Sequence, residues 1–559
     1  MAEAHRAYPG GFFGRYSCFI RTCHQNGGNR MSAGNLLEAL TDNLVVDKTK
    51  CIFCGKCAET CILDNIRINR APCSAACPLG LNIQGYVQLV ARGKDDEARA
   101  VIAQDLPFAQ LICRICDHPC EHACNRCKVD GQAVNINGIK RYLFAGEKML
   151  PLECAEASGK TVAVIGAGPA GLLAAHDLRK AGHAVSVYEA EGKAGGLLRN
   201  ILPVWKLPDA VLDEAVGIME QAGVVFHYGQ RIVDKKALDD LSQRYDAVVL
   251  ALGAGGGRKA SIEGEELPGV LSAFRFLMEV RAGGGQKLSG HVVVVGGGYV
   301  ALDSAQAAMR QGAESVTIVY RRTIDAFRAD AEDIAKARKQ GIKFAFTWAP
   351  VKVEGKNGKL ALSCRHDLEL LPPQCLDYPD FKADEIRSIE ADSVIMAVGQ
   401  ERDSQLARLV GDVTLDPVTL QLGDKAIFAA GDMEHGPSSA VYAMASGRRA
   451  ATSIIRLLAG QDMFYGRQYA GPYVDDFTVD TGNAVAIPRQ TGLGHFCTGT
   501  GDFTETTQYL TEQEARDEAS RCLSCGGPTG HYRNCWFCLP CEVECPQQAL
   551  YVNIPYLLR

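Results

Sequence analysis

An α/β protein with two Rossmann-like dinucleotide-binding domains is predicted by three features of the sequence. These are a glycine-rich turn between a β-branched strand and an apolar helix, a second copy of that turn, and a pair of buried strands ending in glycine. The first copy reads KTVAVIGAGPAGLLA, Lys160 to Ala174, with Gly166, Gly168 and Gly171 in GxGxxG spacing and Pro169 and Ala170 opening the helix. Such glycines permit a tight turn and let a pyrophosphate approach the backbone, where the helix N-terminus favours its charge. Glu189 ends the next strand 23 residues after Gly166, where a carboxylate can bind an adenosine ribose.

The second copy, GHVVVVGGGYVALDSAQAAMRQGAESVTIVYRR, carries Gly296, Gly298 and Ala301 in the GxGxxA version, with Tyr299 between. Two further matching strands, YDAVVLALGA with Gly253 and ADSVIMAVGQ, mark the extent of the repeat. The second unit differs at the discriminating position. Its strand ends in Tyr320, Arg321 and Arg322, so two guanidiniums stand where a carboxylate would hold a 2'-hydroxyl. They suit a 2'-phosphate, which favours NADPH over NADH, although a solvated strand end reads the same way.

A chain of 559 residues with 47% hydrophobic and 22% charged residues has room for three or four soluble domains. The net charge of -6 gives no basic footprint for nucleic acid. No apolar run reaches the roughly 18 residues of a spanning helix, and MAEAHRAYPGGFFGRYS lacks the apolar core of a secretory signal, so a cytoplasmic location is expected. That setting argues against disulfides for the 23 cysteines and for metal. Eleven lie from Cys51 to Cys127 and six from Cys522 to Cys545; Cys18, Cys23, Cys154, Cys364, Cys375 and Cys497 are scattered and read as structural thiols.

VVDKTKCIFCGKCAETCILD places Cys51, Cys54, Cys57 and Cys61 in the C-x2-C-x2-C-x3-C spacing of a 4Fe-4S ferredoxin, and Cys535, Cys538, Cys541 and Cys545 repeat it before Pro546. Zinc is the alternative metal, since closely spaced thiolates bind it well. The fourth cysteine of such a run commonly serves a neighbouring cluster, so Cys61 could join the domain that follows. Cys522 and Cys525 add a pair ahead of the second run. The tail is expected to be a self-contained unit; the other option is that this pair folds back toward Cys73.

AIFAAGDMEHGPSSAVYAMASGRRAA, with Gly431 and Asp432 after a strand, resembles the second FAD fingerprint of two-dinucleotide flavoproteins, which implies an FAD domain interrupted by an NAD(P) domain. GGLLRNILPVWKLP, GGGYVALD, VTIVYRR and AAGD then resemble, in order and spacing, the glutamate synthase small subunit family. That module also occurs in dihydropyrimidine dehydrogenase and the larger subunit of ferredoxin-dependent transhydrogenase. The resemblance runs from about residue 71 to residue 460. It implies FAD contacts at Gly166, Gly168, Pro169, Ala170, Gly171, Glu189, Gly196, Leu197, Gly253, Gly431 and Asp432. It also implies cluster ligands at Cys73, Cys77, Cys116, Cys120 and Cys124 in an α-helical iron-sulfur domain.

Three departures stand out. The family's first cysteine pair is missing before Cys73, Lys140 occupies the place of a glutamate or glutamine ligand, and Tyr299 replaces an asparagine. An ammonium cannot coordinate iron, so Cys113 or Cys127 is expected as a replacement ligand unless the second cluster is absent. Three or four 4Fe-4S clusters follow.

The expected domains are 1–70 with a ferredoxin-type motif, 71–155 helical iron-sulfur, 156–285 and 406–460 FAD-binding, 286–405 NAD(P)-binding, 461–515 linker and 516–559 a C-terminal ferredoxin-like segment. These features imply an oxidoreductase subunit that passes hydride between NAD(P)H and FAD and single electrons through clusters. The electrons would go to or come from a catalytic partner subunit or ferredoxin in a hetero-oligomer. A true glutamate synthase small subunit is the alternative. A dithiol reductase needs a CxxC beside the flavin, which GGLLRNILPVWKLP lacks, and a vestigial cluster scaffold conflicts with the intact fingerprints.

Overall fold

The computed structural model describes residues 37–39 and 43–554, apart from 357, 372–381, 383–384, 401–408, 412, 468–470, 498 and 532–534. Cys18, Cys23 and Cys375 lie outside the described residues.

β-Branched runs bounded by glycine fold as buried parallel strands, since helices covering both faces leave no polar side. In the first unit the strand order is Ile427–Ala429, Ala247–Leu250, Thr161–Ile165, Ala184–Tyr188, Val225–His227, all parallel. The outermost strand, Ile427–Ala429, comes from beyond the second unit, so the first domain is interrupted by the second. That second sheet runs Lys343–Phe346, Ser315–Tyr320, His291–Val295, Ser393–Met396, Val270–Ser272, again all parallel. A three-stranded antiparallel meander, Ala349–Lys356, Lys359–Arg365 and Ile386–Ala391, packs on it.

The two fingerprint helices of the first unit, Pro169–Lys180 and Ala440–Leu458, lie in close contact. Gly447 makes this possible: a Cβ there would stand 2.1 Å from the Ala170 carbonyl oxygen.

The helical domain contains a small internal echo. Asn82-Ile-Gln-Gly85 and Asn135-Ile-Asn-Gly138 each start a helix, Ile83–Ala91 and Ile136–Leu143. In each, the asparagine side chain accepts the glycine N–H as an N-cap, at 3.0 and 2.8 Å.

The ends of the chain depart from expectation. The tail does not fold alone: Gly527–Gly530 pairs antiparallel with Ile66–Asn69, and Leu550–Val552 pairs antiparallel with Leu44–Asp47. One core of Leu44, Val46, Phe53, Ile66, Ile68, Leu550 and Val552 serves both ends. Each run alone is too short for a hydrophobic core, so two half-units separated by over 400 residues complete one ferredoxin-like module. The described residues of 461–515, a segment expected as a linker, form a strap across the other domains. Tyr473–Val474 adds a strand beside Ile68–Asn69, Arg489 meets Glu121 at 2.8 Å, and Glu505 meets Arg114 at 2.7 Å.

Candidate functional site

The first glycine loop has the shape of a pyrophosphate cradle. Gly166 adopts φ 101°, and a Cβ there would stand 2.3 Å from the Ala251 carbonyl oxygen, so only glycine makes this turn. A Cβ on Gly171 would meet the Gly166 carbonyl at 1.9 Å, which fixes the close approach of helix to strand. Gly168 faces open space at the helix N-terminus. Buried Glu189 accepts the Ala167 N–H at 2.8 Å and the Glu191 N–H at 2.9 Å, which fixes its carboxylate at the ribose end of the loop. Gly196 abuts Gly168, Leu197 begins the short helix Leu197–Asn200, and Gly253 faces open space. From the far edge, the Gly431 N–H donates to Ser446 Oγ at 2.8 Å, and Asp432 accepts from Ser438. Burial raises the Asp432 carboxyl, an effect the Ser438 hydrogen bonds oppose. These residues fit FAD: an open amide cradle, an acid at the ribose position and a second acid beyond the third motif.

In the second loop Gly298 faces open space and Ala301 is fully buried. The Tyr320 ring lies against Gly297, where any Cβ would collide with it. Arg321 is exposed, Arg322 half-buried, and neither makes an ion pair among the described residues. Arg328, which the sequence reading did not single out, is tied to the same loop through its N–H to the Gly297 carbonyl at 3.0 Å. Tyr299 donates its hydroxyl to Asp330 at 2.9 Å, and Asp330 also meets His122 at 2.8 Å and His118 at 3.3 Å. Burial would raise the Asp330 carboxyl, but these two imidazoles hold it well below the usual range. The nucleotide loop is thereby tied to the cysteine-rich domain. Lys206 joins Asp303 at 2.5 Å, linking the KLP turn to the second fingerprint helix. None of these partners has a local sequence signal, because each pair is far apart in the chain.

The thiols gather into groups. Burial above all, then Cys54 and Cys545, pushes the Cys51 thiol up to about 11; Cys57 is raised by burial and by Cys51, Cys54 and Cys545. These four line one pocket, shared with Val46, Ile52 and Leu550. Burial, then Cys61, Cys535 and Cys538, pushes Cys541 up to about 11. Cys61 therefore joins the tail run and Cys545 joins the head run, a reciprocal exchange, and Cys61 does not repair the helical domain. Burial, then Cys522, Cys124 and Cys525, pushes Cys73 well above the usual thiol range. The Cys522–Cys525 pair thus folds back to the place left empty before Cys73, and the expectation of a self-contained tail is corrected.

The reason is a buried anchor: Arg521 and Glu518, both 0% exposed, pair at 2.7 Å. Arg521 also donates to the Ile487, Ala133 and Gln132 carbonyls and to Asp130, while Glu518 accepts the Asn135 and Gln490 N–H groups.

Cys77, Cys116 and Cys120 form the remaining group, with Lys140 among them. Cys113, expected as a replacement ligand, stands beside Lys140, and the charges acting most strongly on it are Lys140, Arg141 and Arg114. Cys127 is exposed. This last group adjoins the flavin half, since Ser439 donates to Asp117 at 2.9 Å at the start of Ala440–Leu458.

Among the described residues no three His, Cys, Asp or Glu side chains converge on a single-ion site, and no disulfide forms. A metal binds such thiols as thiolates and releases their protons. Three groups of four thiols, with no three of them converged on a single-ion site, fit 4Fe-4S clusters.

Known proteins match this arrangement. The model for pyridine nucleotide-disulphide oxidoreductases matches residues 160–447, and that for dihydropyrimidine dehydrogenase domain II, 4Fe-4S cluster, matches residues 36–149. The chain is 31% identical to the NADP(+)-dependent formate dehydrogenase subunit beta of Moorella thermoacetica, over 81% of this chain and 70% of the relative. It is 29% identical to the NADPH-Fe(3+) oxidoreductase subunit beta of Geobacter sulfurreducens (strain DL-1 / KN400), over 81% and 75%. It is 30% identical to the glutamate synthase [NADPH] small chain of Azospirillum brasilense, over 68% and 85%. With two nucleotide loops, cluster-binding thiols and no CxxC in the turn beside the flavin, the chain is an FAD-dependent NAD(P)H oxidoreductase with 4Fe-4S clusters, and it belongs to the pyridine nucleotide-disulphide oxidoreductase family.

Proposed function

We propose that this chain is the electron-transfer subunit of a hetero-oligomeric, cytoplasmic oxidoreductase, taking NAD(P)H at one end and serving a catalytic partner subunit or ferredoxin at the other. Bound FAD supplies two-electron exchange with the nicotinamide, and the clusters supply one-electron steps. The arrangement of the chain's residues supports an order of stations. Gly166, Gly168, Gly171 and Glu189 hold the dinucleotide, with Gly431 and Asp432 at the flavin half. Asp117 and Ser439 join that half to the Cys77–Cys116–Cys120 group. Tyr86, fully buried, bridges Cys77 and Cys120 to Cys73. Ile52 and Phe53, whose ring faces Gly527, lead from the Cys73 group to the paired ferredoxin runs.

The observation that carries this reading is where the series ends. Ile62, Trp536 and Val543, next to Cys61, Cys535 and the Cys541 turn, are among the most exposed large apolar side chains, Trp536 at 74%. Exposed apolar residues around a terminal electron site suit a protein docking surface. Arg321 and Arg322 support NADPH as the preferred nucleotide, with NADH the competing substrate. Anaerobic titration of the purified chain with NADPH and NADH, with flavin absorbance and cluster EPR followed together, tests the reading. Clusters that become reduced as the flavin bleaches are expected; a bleached flavin beside oxidised clusters would overturn it.

The alternative is a glutamate synthase small subunit, to which the Azospirillum relative points. The paired ferredoxin runs at the chain ends favour the broader reading. A glutamate-forming large subunit co-purifying with the chain would reverse that preference.

A further inference from the structure

Three of the four thiol groups offer four cysteines, and the group nearest the flavin half does not. Lys140, 3% exposed on Ile136–Leu143, lies among Cys113, Cys116, Cys120 and Cys77, the four groups that act most strongly on it. An ammonium buried without an anion carries a large desolvation penalty, so these surroundings call for a negatively charged group. A second donor makes the same demand. The Tyr86 hydroxyl is fully buried, has no hydrogen-bond partner, and stands among Cys120, Cys77, Cys73 and Cys113. A buried hydroxyl left unpaired marks an acceptor that belongs beside it.

A four-iron cubane needs a ligand on each iron, and the family pattern fills the fourth corner with a carboxylate or amide oxygen. Here that corner faces an amine that donates and does not accept. Cys113, which stands beside Lys140 with its carbonyl held by Asn137 and Arg141, is the competing fourth ligand, and its replacement separates the two readings. A cluster lacking the unliganded iron keeps three thiolates and presents sulfides at the open corner, which accept N–H and O–H donors.

We propose that Cys77, Cys116 and Cys120 hold a three-iron 3Fe-4S cluster, with Lys140 at the missing corner as its counter-charge and Tyr86 as a second donor. This rests on the reading that the chain's thiols hold iron-sulfur clusters. Lys140 and Tyr86 are positioning residues here. Positive charge beside the cluster stabilises its reduced form, so this centre has a higher potential than the same cluster without the charge and is the first acceptor beyond the flavin.

The test is iron analysis and EPR of anaerobically purified, full-length holoprotein. About fifteen irons per chain are expected, with the oxidised-state signal of a three-iron cluster beside 4Fe-4S signals that appear on reduction. Lys140→Gln, which supplies an amide oxygen, should convert the site to a fourth cubane: the three-iron signal disappears and about one iron is gained. Lys140→Met should keep the signal at a lower midpoint potential, and Cys113→Ala should leave it unchanged. Native protein with about sixteen irons and no three-iron signal, or about twelve with three cubanes alone, would overturn the assignment. Neither outcome needs a variant to fold. Absence of every 4Fe-4S signal would instead remove the electron-transfer reading itself.

Discussion

Arg321 and Arg322 show what a single residue can announce. Their place at a strand end after a GxGxxA loop was legible, because the loop, strand and following side chains are contiguous. The structure adds the half-exposed setting and the neighbouring Arg328, tied to the same loop. Each guanidinium that meets a 2'-phosphate makes a charge-assisted hydrogen bond of about 1.5–3 kcal/mol. Arg321→Asp combined with Arg322→Ser should therefore raise KM for NADPH by about tenfold or more and leave that for NADH within about twofold. Equal loss with both nucleotides in steady-state assays would refute the assignment. Tyr86, Asp330 and Lys206 were not legible in this way, since the significance of each lies in partners brought close only by folding.

At the scale of elements, the helix Glu512–Ser520 controls where Cys522 and Cys525 go. Its start is local and readable: Thr511 caps the Glu514 N–H at 3.3 Å, and Glu514 returns a bond to the Thr511 N–H at 2.8 Å. Thr511→Ala should cost about 1 kcal/mol, seen as a small loss in chemical denaturation with cluster content intact. The end of the helix is a different matter. Replacing Arg521 with methionine leaves Glu518 buried without its cation, a cost of about 3–5 kcal/mol. The expected result is selective loss of the cluster on Cys73, Cys124, Cys522 and Cys525, measured as about four irons fewer per chain, while FAD content is retained. Iron content unchanged in this variant would show that the anchor does not set the pair's position. In the sequence, Arg521 reads as an ordinary charged residue before a cysteine. The backbone carbonyls that consume its donors come from residues 132–133 and 487.

For the whole molecule, the decisive feature is that both chain ends build the same module. A chain ending after residue 515 would keep Cys51, Cys54, Cys57 and Cys73, so independent end units would leave those clusters in place. The shared arrangement predicts the opposite. Cys545 completes the Cys51 group, Cys61 completes the Cys541 group, and two of the four thiols around Cys73 come from the tail. Truncation should therefore abolish all three 4Fe-4S clusters, with NADPH-driven flavin bleaching still observed. A truncated protein with about four or more irons in 4Fe-4S form would contradict it. The sequence by itself determined the two parallel-sheet domains, the interruption of one by the other, the nucleotide loops and the cysteine runs. Each of these is written in contiguous strand, turn and helix patterns or in short ligand spacings. Tertiary structure alone decided which thiols share a group, that the described residues of 461–515 form a strap, and that Lys140 lies among four cysteines. Those outcomes depend on strand pairing between the two ends of the chain and on the pair of buried Arg521 with Asp130, whose partners are 391 positions apart, for which local spacing carries no information.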